Sequence, residues 1–118
     1  MEKIILEENW ANFLGFETID KEGKRHNDLL VVRGNGKLRL EDDGIHFTRM
    51  VPEKSFFIPA SKIKRVEISS SHNGKWVLFP IVLKIYYEEE SEIKVFGIMV
   101  RWKRRKLWKE KIENLMQK

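Results

Sequence analysis

Positive charge is crowded into one short stretch of this chain. Between Arg101 and Lys111 stand Arg101, Lys103, Arg104, Arg105, Lys106, Lys109 and Lys111, against the single acid Glu110. Residues 1–60 carry nine Lys/Arg and eleven Asp/Glu, whereas residues 61–118 carry fourteen and seven, so the net charge of +5 arises in the second half. Cations at the start of a helix oppose its dipole by a few tenths to ~1 kcal/mol each. A sequence that accepts this cost points to an anionic partner: nucleic-acid phosphate, acidic membrane headgroups or an acidic protein surface. Trp102, among these cations, could stack on a base or lie at a membrane interface. The competing reading is a solvated helix face, because Lys106 with Glu110 and Lys109 with Glu113 form i,i+4 pairs.

The other chemistry-bearing residues are scattered. His26, His46 and His72 share no metal-ligand spacing, and each falls at an expected turn or outward strand position, so all three read as surface histidines. Ser69, Ser70 and Ser71 adjoin His72 in a polar stretch, but a nucleophile needs a base facing it across the fold and a third group to orient that base. Gly34-Asn35-Gly36-Lys37 lacks the four-residue gap and the Ser/Thr of a phosphate loop. Asp42-Asp43-Gly44 lacks the alternate ligands and distal Glu of a calcium loop. Glu88-Glu89-Glu90-Ser91-Glu92 reads as a solvated tip that discourages edge pairing. Trp10, Phe13, Phe47, Phe56, Phe57, Trp76, Phe79, Phe96 and Trp108 read as core, with Trp76 beside a loop. No acid, base, nucleophile or metal set converges on one element, so the expectation is no enzyme, no cofactor and no metal.

Elements must position these residues, and length bounds them. With 118 residues and 42% hydrophobic content, one domain with one core is expected over residues 1–118. There is no cysteine, which excludes disulfides and thiolate sites and fits a reducing cytoplasm. Acids interrupt the apolar run of Ile4-Ile5-Leu6 at once, unlike a secretory signal, and no stretch reaches the ~18 apolar residues that span a bilayer. The expected location is cytoplasmic, peripheral to a membrane under the anionic-surface reading.

From Leu29 onward, apolar residues alternate with polar ones between turn residues, which predicts an antiparallel sheet. Seven strands are expected: Leu29–Arg33, Lys37–Glu41, Ile45–Arg49, Ser55–Ile58, Ile63–Ser69, Trp76–Tyr87 with a bulge at Pro80, and Ile93–Val100. Gly34-Asn35-Gly36 and Asp42-Asp43-Gly44 are the expected hairpin turns. Near Trp102 the period changes. Leu107, Trp108, Ile112, Leu115 and Met116 share one half of a helical wheel, predicting an amphipathic helix over 103–117 that closes a bent, partly open barrel. Residues 1–28 form an extension, in which Leu6, Trp10, Phe13 and Leu14 have helical spacing before Gly15. A strand from Phe16 to Ile19, ending at the Asp20–Lys24 turn, competes with that spacing; the expectation is a short helix followed by a hairpin arm.

Gly36-Lys37-Leu38-Arg39-Leu40, Asp43-Gly44-Ile45-His46-Phe47, Phe57-Ile58-Pro59 leading to Ile63 and Val66, and Trp108 in the closing helix together resemble the pleckstrin-homology-like superfamily, including its bacterial and GRAM-type members. The likeness covers about residues 29–117. It implies a seven-stranded, partly open barrel capped by a C-terminal helix, and a non-catalytic module that binds a protein partner or assembles with its own copies. Its groove is expected between the closing helix and the neighbouring strand. Arg33, Lys37 and Arg39 look like the basic residues that flank the first hairpin in lipid-binding members. The loop between them, Gly34-Asn35-Gly36, is too short to wrap a multiply phosphorylated headgroup. The alternative is a binder of anionic lipid or nucleic acid using Arg101, Lys103, Arg104, Arg105 and Lys106, with Arg33, Lys37 and Arg39 as a second patch.

Overall fold

Leucines that alternate with charges leave a strand only one way to bury its oil: against a neighbour with the same alternation. The computed structural model describes residues 4–27, 34–72, 75–76 and 82–117, with the backbone alone at 75 and 76. In it β3 (Gly34–Glu41) and β4 (Gly44–Arg49) pair so that Leu38 lies opposite Phe47 and Leu40 opposite Ile45. All four side chains are fully buried. β5 (Lys54–Pro59) adds to β4, and a 3₁₀ turn at Ala60–Lys62 leads into β6 (Ile63–Ser69). β9 (Val82–Glu89) and β10 (Glu92–Met99) form a second hairpin. Its turn residues Glu90 and Ser91 have φ of 51° and 70°, the left-handed pair that a tight two-residue turn demands.

β1 (Ile4–Ile19) joins the two halves. Its first part pairs with β3, its last part with β10, and β2 (Arg25–Asn27) folds back along Glu17–Ile19. The result is an antiparallel sheet of eight strands, in the order β5-β4-β3-β1-β10-β9-β6 with β2 beside β1; it curls but stays open, ending at β5 and β6. A short hairpin of β7 (Ser71–His72) and β8 (Lys75–Trp76) stands apart from it.

The expected N-terminal helix is absent: residues 4–19 are the longest strand, at the centre of the sheet. The reason is visible in its register. Pairing slips between Ile4 and Leu6, between Glu8 and Ala11, and between Phe13 and Gly15. Each slip inserts a residue into the two-residue alternation, and the bulged strand imitates helical spacing. Gly15, which looked like a helix stop, has φ of 97° at one of these bulges. The Asp20–Lys24 turn is present, closed by the Asp20 carboxylate accepting from the backbone N–H of Glu22 and Lys24.

Gly34-Asn35-Gly36 is likewise no turn; all three residues lie in β3, opposite Phe13, Asn12 and Ala11. Gly36 is needed for a close approach, since a Cβ there would sit 2.2 Å from the Thr48 carbonyl and 2.7 Å from the Phe47 ring. The strand expected at Leu29–Arg33 and the bulge at Pro80 lie outside the described residues.

The core fills the inside of the curl. Phe13 is at its centre, its ring 5.2–5.3 Å from those of Phe47, Phe56 and Phe96. Burying each such side chain is worth about 1.5–3 kcal/mol. The tail is helical as its wheel predicts: a 3₁₀ turn at Trp102–Arg104 runs into α1 (Arg105–Met116), which buries Trp108, Ile112 and Leu115 against β6, β9 and the Ala60–Lys62 turn. Leu14, Val82, Tyr86 and Val95 are buried outside this cluster, on the other face of β1, β9 and β10.

Candidate functional site

The basic run is divided between a buried acid and solvent. Glu8 of β1, almost completely buried, engages two of its members: the Arg104 Nε–H donates to Glu8 Oε1, and Arg101, its side chain 76% exposed, approaches Oε2 at 3.6 Å; the Trp108 indole N–H donates to Oε1 at 3.2 Å. No acid occupies the first turn of α1, so Glu8 brings from another strand the negative charge that this helix start lacks. Arg105 lies over the Trp102 ring at 3.5 Å and donates to the Trp102 carbonyl at 2.7 Å. Lys109 pairs with Glu113 at 2.8 Å. Lys103 and Lys106 remain exposed, with no ion pair among the described residues.

The second expected patch is also engaged. Lys37 pairs with Glu7 at 3.5 Å and Arg39 with Glu41 at 3.1 Å, both on the outward face of β3; Arg33 lies outside the described residues. The fold therefore places Lys37 and Arg39 on one face of β3 but pairs each with an acid.

A groove opens where the sheet fails to close. β5 is a terminal strand, and its outer edge has no strand partner among the described residues. Beside it lies a cleft of about 260 Å³ lined by Phe16, Phe56, Phe57, Tyr87, Glu89 and Lys94. A second depression of about 320 Å³ continues it past Phe57 and Tyr87 to Pro59, Lys62 and Glu88–Glu90. Phe57 is 48% exposed. Glu88, Glu89 and Glu90 are exposed at the rim and form no ion pair among the described residues. Burial raises the Tyr87 phenol above its usual pKa, so that it stays protonated. On the helix side, where a groove is also expected, lies a hollow of about 370 Å³ lined by Asp42, Asp43, Ala60, Ser61, Leu115 and Met116.

Histidine is where the sequence misled most. His72 is not on the surface: its ring lies over Gly97, where a Cβ would fall 2.0 Å from its Cδ2. Gly15 and Gly97 are cross-strand partners, and this pair of glycines clears the trough that the imidazole fills. Nε2 carries the proton, since it donates to the Gly15 carbonyl at 2.7 Å. Nδ1 has no hydrogen-bond partner among the described residues and lies 3.7 Å from Glu17 Oε1, which also meets Lys84 Nζ at 3.2 Å. Burial lowers the His72 pKa to about 4, against the smaller opposing pull of the Gly15 carbonyl and Glu17. The signal was the two glycines, unreadable without the register that pairs them.

The other two histidines pair with nearby acids. His26 is exposed and meets Asp20 at 2.9 Å, which lowers the Asp20 pKa through that hydrogen bond and the Lys24 backbone N–H. His46, half-buried under the Phe57 ring at 4.6 Å, reaches Asp43 at 2.8 Å and Glu41 at 3.9 Å.

No protein-family model and no curated protein sequence matches the chain. Solved structures do share the fold. One is the crystal structure of the C-terminal domain of an unknown protein from Leishmania infantum, similar with a TM-score of 0.57 at 13% identity over 99% of this chain and 86% of that one. This likeness concerns the fold alone. Among the described residues no helix is long and apolar enough to cross a membrane.

Proposed function

We propose that this chain is a non-catalytic interaction module of the pleckstrin-homology-like kind, which takes an extended segment of a partner protein along the free edge of β5. The observation that carries the reading is that edge itself: unpaired among the described residues, bordered by the cleft, and flanked by half-exposed Phe57. Unpaired backbone N–H and C=O groups supply affinity by strand addition, and the cleft supplies side-chain selectivity. Natural edge strands are normally blunted by charge or proline; here Lys54 and Pro59 blunt only the ends. The exposed carboxylates of Glu88, Glu89 and Glu90, which form no ion pair among the described residues, make a segment alternating basic and apolar residues the best complement. The cytoplasmic setting goes with this reading, supported by the cysteine-free composition.

The test uses a fluorescent peptide of alternating Lys and Val, and its Glu-Val counterpart, with anisotropy and backbone amide shifts as readouts. The Lys-Val peptide is expected to bind, with shifts confined to β5 and the β9–β10 tip, and to weaken at least tenfold with Phe57→Ser or with Glu88→Lys plus Glu89→Lys. Equal binding of both peptides, or shifts elsewhere, overturns the reading. Self-association that Phe57→Ser abolishes would assign the edge to a second copy. Binding to anionic vesicles or nucleic acid that Lys103→Glu plus Lys106→Glu abolishes would favour the anionic-surface alternative.

A further inference from the structure

We propose that the β3–β4 hairpin carries a binding site for a single divalent ion of the zinc class, with Glu41, Asp43 and His46 as its three protein ligands. The sequence concealed this because Glu-x-Asp-x-x-His crosses a tight turn, where neither helical nor strand spacing applies. In the fold one ligand atom from each residue lies within 4.8 Å of the other two. Tetrahedral zinc with bonds of about 2.0–2.1 Å places its ligand atoms about 3.3 Å apart. The observed separations from His46 Nε2, 2.8 Å to Asp43 Oδ1 and 3.9 Å to Glu41 Oε1, bracket that value. Small side-chain rotations therefore suffice.

The surroundings hold these groups in place. Glu41 is almost wholly buried, and Arg39 binds its Oε2 at 3.1 Å, which turns Oε1 toward His46. The Asp43 carbonyl accepts from the Ala60 N–H at 2.9 Å, fixing the turn against β5. Gly44, with φ of 147°, permits that contact: a Cβ there would lie 2.1 Å from the Ile58 carbonyl. Phe57 covers the outer face of the His46 ring. One nitrogen and two carboxylate oxygens suit zinc and its borderline neighbours better than calcium, which wants six to eight oxygens. Three protein ligands leave a fourth position for water. The ion would replace the proton that Nε2 now shares with Asp43, and Nδ1 would carry the proton instead.

The test is calorimetric titration of the metal-free chain with Zn²⁺, paired with the Co²⁺ visible spectrum, which reports coordination geometry. One equivalent is expected, with a tetrahedral Co²⁺ signature and at least tenfold weaker binding in both His46→Asn and Asp43→Asn. His26→Asn is expected to leave binding unchanged. Loss of binding with His26→Asn, no effect of His46→Asn, or no saturable binding by the wild-type chain overturns the proposal. Both hairpin variants keep outward or turn positions, and a melting curve without metal separates misfolding from ligand loss.

Discussion

Glu8 and Glu17 lie on the same strand, both buried, on opposite faces of the sheet, and each holds a different later segment of chain in place. Glu8 receives Arg104, Arg101 and the indole of Trp108, and so docks the start of α1. Glu17 meets Arg25, Lys84 and His72, and so docks β2 and the β7–β8 hairpin. Two buried carboxylates thus do the same topological task with different donors. The donors around Glu8 are guanidinium and indole groups, whereas one neighbour of Glu17 is an imidazole whose buried Nδ1 has no hydrogen-bond partner among the described residues and whose pKa burial lowers to about 4.

The largest expected effect is at Glu8. Glu8→Leu strands the buried Trp108 N–H and leaves Arg104 without its acid, and breaking a buried charge pair in this way costs about 3–5 kcal/mol. Glu8→Gln keeps an acceptor for the indole and is expected to cost only about 1–2 kcal/mol. Urea unfolding midpoints read both. A neutral Glu8→Leu would mean that Arg104 and Trp108 find other partners and that the two carboxylates are not equivalent anchors.

How far the sequence exposed these anchors differs between them. The β3–β4–β5 meander, the β9–β10 hairpin and the closing helix were legible because each keeps one clean period: Leu38, Leu40, Ile45 and Phe47 alternate, and Trp108, Ile112 and Leu115 recur at helical steps. β1 was not, because its bulges scramble the alternation at the residues that bring Glu8 and Glu17 into position. The basic run was legible as charge, yet its orientation depended on one acid nearly a hundred residues earlier in the chain. His72 looked like a loop histidine because the trough that buries it is made by Gly15 and Gly97, on two other strands. The Glu41, Asp43 and His46 cluster escaped notice because each residue was weighed in a separate motif.

The next effect in size is at the Glu17 cluster and has a sign set by His72. In the unfolded chain this imidazole takes a proton near its ordinary pKa of 6.5, whereas in the fold it does so only at about 4. Its contribution to stability is therefore complete above about pH 6.5 and lost as the pH falls toward 4, a change of up to about 3 kcal/mol. His72→Leu is expected to flatten that part of the profile. Gly97→Ala should displace the ring outright, at a cost of about 1–3 kcal/mol at pH 7, and should shrink the same pH dependence. Hydrogen exchange at β7 checks the location, since protection lost on acidification should disappear there before it does in α1. Simultaneous loss in both places would erase the distinction between the two anchors.

The smallest effect sharpens the comparison from the Glu8 side. Arg105 stacks on Trp102 next to Arg104, but the ring is 45% exposed, and a cation–π contact at such a site is worth about 0.5–1 kcal/mol. Arg105→Ala should therefore lower stability by no more than that, and by a similar amount in the Glu8→Gln background, because Arg105 makes its contacts with the Trp102 ring and carbonyl and not with the Glu8 carboxylate. A double-mutant cycle on urea midpoints measures the coupling. Additivity leaves Glu8 as the anchor of the helix start, with the stacked pair only lying over it, whereas a coupling well above 0.5 kcal/mol would make Arg105 and Trp102 part of the same buried assembly and the helix start a single cooperative unit.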